Sequence, residues 1–193
     1  SIGEEPYDAL GQLVRERPIP LRLIEDHLAG FALDETGWRP ATEEDLDRYC
    51  YHVAGSVGCM MAIIMDVPPD DEQTLERAAD LGIAFQLSNI ARDLREDLSA
   101  GRCYVPQSWL DELGIEGSNL FADEHLAARR EIARRLVERV AIYERSARLG
   151  VGRLPFRSRV AVLAAARIYG AIGRAVEQRG ALAWDSRVSI GKA

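Results

Sequence analysis

The chain has 193 residues, 47% of them hydrophobic and 28% charged, enough for one sizeable core under an ordinary charged surface; a single helical domain over residues 1–193 is expected. A formal net charge of −7 excludes nucleic acid as the main partner, because binding a phosphate backbone needs a basic footprint. Cys50, Cys59 and Cys103 are too few and too scattered for a disulfide framework or a zinc site, and suit a reducing cytoplasm. The longest apolar run, Cys59 to Met65 and its neighbours, falls far short of the roughly 20 residues that span a bilayer.

Helical periodicity runs through the chain and no alternating strand pattern bounded by hairpin turns interrupts it, so an all-α protein is expected. A first helix is expected over about Tyr7–Arg17, stopped by Pro18 and Pro20, and a second over about Leu21–Asp34, ending in the loop at 36–40. Thr42 and Asp45 form a capping-box pattern that opens a third helix, continuing to about Asp66. Pro68 and Pro69 separate it from a fourth, about Asp71–Leu98. A short helix at 107–113 and long ones at about 123–149 and 157–179 complete the pattern.

The fourth helix carries the most informative spacing. Gln86, Asn89, Asp93 and Asp97 lie three, four and four residues apart, which lines two carboxamides and two carboxylates along one helical face. Two carboxylates a turn apart repel unless something positive lies between them, and no Lys or Arg shares the stripe. Oxygen-only ligands favour a hard cation, and few protein ligands favour Mg²⁺, which keeps waters and takes other oxygens from substrate phosphates. The alternative is a solvated helix end, although Gln86 and Asn89 sit inside the apolar stretch 81–90, where polar groups need partners.

Gly55 and Gly58 fall in mid-helix, each costing about 1 kcal/mol relative to Ala. Close approach of another helix, or room for a long apolar ligand, would offset that cost. Tyr49, Tyr51 and His52 also read as core side chains with local hydrogen bonds. The Gly-Arg-Cys-Tyr-Val-Pro turn at 101–106 brings Arg102 and Tyr104 beside the acidic helix, where a guanidinium can clamp a phosphate and a phenol can add a donor; an exposed loop arginine is the plainer alternative. Arg92 lies on a neighbouring face, where the plainer reading is an ion pair with Glu96 four residues on. The arginines between 129 and 148, interspersed with Glu131, Glu138 and Glu144, read as a solvated face.

The blocks YCYHVAG at 49–55, AFQLSNIARD at 84–93 and GRCYVPQSWL at 101–110 resemble the signature blocks of bacterial phytoene synthases, within the squalene/phytoene synthase family. The similarity continues through RIYG at 167–170 and AWDSR at 183–187, so it covers almost the whole chain. It implies an isoprenoid synthase-type helical bundle with a central cavity. It also implies head-to-head condensation of two geranylgeranyl diphosphates, through prephytoene diphosphate, to phytoene. On this resemblance Asn89, Asp93 and Asp97 bind Mg²⁺, with Mn²⁺ as an alternative. Gln86, Arg92, Arg102, Tyr104 and Arg187 face the diphosphates or the reacting centre. Tyr49 and Tyr169 lie near that centre, and Gly55 and Gly58 line the prenyl cavity.

Two other readings stay open: a squalene or dehydrosqualene-type synthase using farnesyl diphosphate, and a non-catalytic helical scaffold of the same fold. Cytoplasmic localisation with peripheral membrane contact is expected; oligomeric state is undetermined. The family's first aspartate-rich motif has no equivalent before Asp26, and the chain begins with Ser, so the first part of the enzyme is expected to be missing. The purified 193-residue chain is therefore expected to form little or no phytoene from geranylgeranyl diphosphate. Chromatography of the extracted hydrocarbons checks this, and a phytoene peak contradicts it.

Overall fold

The computed structural model of the protein describes residues 11–12 and 16–185, so most of the expected first helix and Arg187 lie outside the described residues. Those described are all-α, as expected, with no strand among them. Helix α1 spans Leu21–Glu35. It ends in a left-handed turn at Gly37 (φ 65°), where Trp38 N–H donates to Leu33 O at 3.2 Å and Gly37 N–H to Asp34 O at 3.2 Å. These paired bonds satisfy carbonyls that a helix end otherwise leaves open.

Helix α2, Glu43–Cys50, opens on the expected capping box, with Thr42 and Asp45 each accepting from the other's backbone N–H. The sequence predicts one continuous helix to about Asp66. Instead the chain passes through a π-helical segment, Tyr51–Gly55, before α3, Ser56–Ile64. The wider turn coincides with side chains pinned to α1. Tyr51 Oη donates to Asp26 Oδ2 at 2.9 Å, and His52 Nδ1–H to the Asp26 carbonyl at 3.1 Å.

Helix α4, Glu72–Ser99, is the central element. Asp71 caps it by accepting from Thr74 N–H at 3.1 Å and from the Thr74 hydroxyl at 2.7 Å. Its buried face, Leu87, Ile90, Ala91 and Leu94, packs on Ile132, Ala133, Leu136 and Val140 of α6, Leu126–Gly150, in the larger core. Each fully buried Leu or Ile there contributes about 2 kcal/mol. Between them runs the short α5, Gln107–Leu113, whose Trp109 enters the same core. Helix α7, Phe156–Arg179, packs against α4 and α6. A second core joins Leu23, Cys59, Ile63, Leu75 and Leu154. All three cysteines are buried and unpaired.

In the arginine-rich stretch of α6, Arg130, Arg134, Arg145 and Arg148 are exposed as expected, but others depart from a solvated face. Arg129 is 4% exposed, and Arg139 turns inward to an ion-pair cluster with Glu43 and Asp47 on α2. Acidic partners on a neighbouring helix draw the Arg139 guanidinium in, while that of Arg129 lies over the Phe121 ring.

The contact of α4 with α3 and the π-helical segment before it has almost no space. A Cβ at Gly58 would lie 2.2 Å from Ala78 O, and one at Gly82 2.2 Å from Ala54 O. Both atoms are backbone and cannot swing aside. Gly82→Ala is expected to destabilise the chain by about 2 kcal/mol or more, as overpacking does, while Gly152→Ala, with open space around it, stays near neutral. Urea unfolding checks the pair, and equal midpoints contradict it.

Candidate active site

The α3–α4 crossing forms one wall of an apolar cavity of about 430 Å³. Val57, Gly58 and Met61 from α3, Leu81, Gly82 and Phe85 from α4, Ala147 and Gly150 from α6, and Val162, Ala165 and Tyr169 from α7 line it. Gln86 and Asn89 follow Phe85 along α4 and also line the cavity with amides, while Thr74 and Arg77 line it nearer the start of the helix. Asp93 and Asp97 continue the same face beyond them, Asn89 to Asp97 covering about 12 Å at 1.5 Å per residue. Phe85 and Tyr169 stack at the cavity wall with centroids 4.0 Å apart. An apolar trough therefore runs into a polar, acidic helical face.

Each carboxylate on that face already has an arginine, contrary to the expectation of an unbalanced stripe. Arg92 Nε donates to Asp93 Oδ1 at 2.7 Å, with a second bond from Nη2 to Oδ2. It does not pair with Glu96, because the adjacent carboxylate offers a two-bond fork. Arg102 reaches Asp97 from the following turn, with Nη2–Oδ1 at 3.0 Å. The local sequence dictates this return. Gly101, at φ 82°, lets Arg102 N–H donate to Asp97 O at 2.8 Å, so backbone and side chain of Arg102 both close on Asp97.

Burial pushes the Asp97 carboxyl above the usual carboxylate range, with Asp93 and Glu96 adding to it and Arg102 opposing it. A cation would relieve that penalty. Among the described residues no three His, Cys, Asp or Glu side chains converge on one point. Asn89, Asp93 and Asp97 offer oxygen donors along one helical face, the donor type a hard ion accepts.

Three of the residues singled out in the sequence lie away from the cavity lining. Gly55 is absent from the cavity lining; it faces Tyr51, Ile83 and the Ala79 carbonyl, so it serves helix packing. Tyr49 does not line the cavity either: it is 2% exposed, in the core, with its hydroxyl donating to Asp34. Tyr104, expected as a phosphate donor, likewise commits its proton to Asp34 Oδ1 at 2.9 Å. Gln86, Asn89, Gly58 and Tyr169 do lie at the cavity, while Arg92 and Arg102 lie with Asp93 and Asp97. Sequence reasoning missed Phe85 and Asp34; the only signal for Asp34 was its sharing of an α1 face with Asp26.

The model of the squalene/phytoene synthase family matches residues 3–193. The chain belongs to that family. It is 52% identical over 188 residues to a 15-cis-phytoene synthase of Enterobacter agglomerans, covering 97% of this chain and 63% of that protein. It is 51% identical to the 15-cis-phytoene synthase of Pantoea ananas, over 97% and 60%. The chain thus spans about 60% of the length of these curated relatives. Among solved structures, it is similar to a dehydrosqualene synthase bound to a ligand, with a TM-score of 0.78 and 29% identity, over 90% of this chain and 60% of that one. The squalene synthase HpnC from Alicyclobacillus acidocaldarius shares the fold, with a TM-score of 0.77 and 24% identity, over 84% and 61%. The all-α fold is that of isoprenoid synthases in this family.

Arg102 is the group that holds the buried Asp97 carboxyl down, so Arg102→Ala is expected to raise the pH at which Asp97 titrates. Carboxyl-carbon NMR measures this directly. An unchanged or lower titration point contradicts the assigned pair.

Proposed function

We propose that this chain forms part of a phytoene synthase, a Mg²⁺-dependent prenyltransferase joining two geranylgeranyl diphosphates head to head through prephytoene diphosphate. The observation that carries the reading is the apolar cavity lined in part by Gln86 and Asn89, with Asp93 and Asp97 continuing along the same helix. An isoprenoid diphosphate has this polarity, a long apolar tail on an anionic head. The name of those relatives, 15-cis-phytoene synthase, supports the substrate class.

In this reading Asn89, Asp93 and Asp97 hold the metal, and Arg92 and Arg102 exchange carboxylate oxygens for diphosphate oxygens, for which their planar forks are equally suited. When bound, Mg²⁺ supplies Lewis-acid neutralisation of the departing diphosphate. The apolar lining keeps water from the allylic cation that remains, and the Phe85–Tyr169 stack offers it aromatic faces. Gln86 orients the head of the substrate through its amide. Arg187 is proposed as a further diphosphate contact, outside the described residues. No described helix is long and apolar enough to cross a membrane, so delivery of a hydrocarbon product is proposed to use peripheral membrane contact.

A farnesyl diphosphate substrate is the second reading, favoured by the structural similarity to a dehydrosqualene synthase. A non-catalytic scaffold is disfavoured, since it needs neither the carboxylates nor the amides in the cavity lining. Calorimetric titration of the 193-residue chain with inorganic pyrophosphate is expected to show binding only with Mg²⁺. Asp93→Asn and Asp97→Asn are each expected to weaken it about tenfold or more. Metal-independent binding, or binding indifferent to both substitutions, contradicts the reading. In a chain extended to the relatives' full length, the fifteen- and twenty-carbon diphosphates are expected to differ, with the twenty-carbon one giving phytoene. Product from the fifteen-carbon one alone establishes the second reading.

A further inference from the structure

One carboxylate on α1 organises two aromatic residues that the sequence places 15 and 70 positions away. Tyr49 Oη donates to Asp34, with contacts of 2.9 Å to Oδ1 and 3.1 Å to Oδ2. Tyr104 Oη donates to the same Oδ1 at 2.9 Å. The rings stack on one another with centroids 4.9 Å apart, and Trp38 extends the stack on the other side of Tyr49 at 5.5 Å. Asp34 itself is exposed, while Tyr49 and Tyr104 are 2% and 7% exposed. Tyr104 follows Arg102 by two residues, within electrostatic reach of Asp97.

We infer that Asp34 is a positioning residue, holding the Tyr49 and Tyr104 hydroxyls as donors to one carboxylate and so fixing the two stacked rings against each other. A phenol has one proton to give. With both protons directed at Asp34, neither hydroxyl is a donor for a diphosphate oxygen, and hydrogen bonding to an anion adds electron density to both rings. What the pair then offers a ligand is negatively polarised aromatic faces, suited to a cation rather than an anion. This last step rests on the proposed function; the fixing of the rings does not.

The test is NMR of the 193-residue chain with isotope-labelled tyrosine, comparing the parent with Asp34→Asn and Asp34→Ala. In the parent, Tyr49 and Tyr104 are expected to show downfield, slowly exchanging hydroxyl protons and slow ring flips. Asp34→Ala is expected to lose both hydroxyl signals and speed the flips by about tenfold or more, the equivalent of one lost charge-assisted hydrogen bond. Asp34→Asn keeps an acceptor oxygen, so slow flips are rescued while the hydroxyl protons move upfield. Tyr143, bonded to Asp47 at 2.7 Å, serves as the internal reference and stays unchanged in both variants. If Asp34→Ala does not fold, the hydroxyl shifts of Asp34→Asn decide alone. Hydroxyl signals and flips that match the parent in every folded variant overturn the inference. No ligand enters the experiment, so failed pyrophosphate binding would remove the proposed function and leave this result standing.

Discussion

At Gly58 and Gly82 the backbone of α4 approaches α3 and the π-helical segment before it so closely that a methyl group on either residue would meet a carbonyl oxygen at 2.2 Å. That constraint fixes how near the helices beside the cavity can lie. The same two glycines also line the cavity, so part of its wall is bare backbone. The cost is local helix propensity, about 1 kcal/mol for each glycine, and the π-helical segment just before α3 falls at the same crossing. Widened turns of this kind recur at functional sites, because they let side chains leave the regular helical register.

The second organising principle is charge balance by exchange. Asp93 and Asp97 are each paired with an arginine from nearby sequence, one from the preceding residue and one from a glycine turn. A carboxylate half-buried without a partner would be costly, and Asp97 already titrates high because of burial. These pairs keep the acidic face tolerable in the absence of a ligand. On the proposed function the same four groups, sorted differently, would be two metal ligands and two diphosphate donors, so that binding would redistribute partners rather than create them.

Much of this was legible in the sequence where the signal is local. The proline stop before α1, the capping box at Thr42 and Asp45, and the glycine turn after α4 all specify backbone geometry within a few residues. The stripe from Gln86 to Asp97 was legible because helical spacing alone puts it on one face. The π-helical segment was not, since its anchors, Tyr51 and His52 on Asp26, lie across helices. Nor was the direction of the Tyr104 proton: a phenol near an acidic helix reads as a free donor until Asp34, 70 residues earlier, is found beneath it. Arg129 and Arg139 were misread for the same reason, because their partners come from other elements.

The central claim is that one helix, α4, joins a prenyl-sized apolar cavity to a cation–diphosphate face. The most direct test is a crystal structure of the chain with Mn²⁺ and a non-hydrolysable geranylgeranyl thiodiphosphate. The account predicts an anomalous Mn²⁺ peak against Asn89, Asp93 and Asp97, the diphosphate on Arg92 and Arg102, and the tail between Gly58, Gly82 and Tyr169. A tail bound outside that cavity, or a metal peak away from those three side chains, would contradict it.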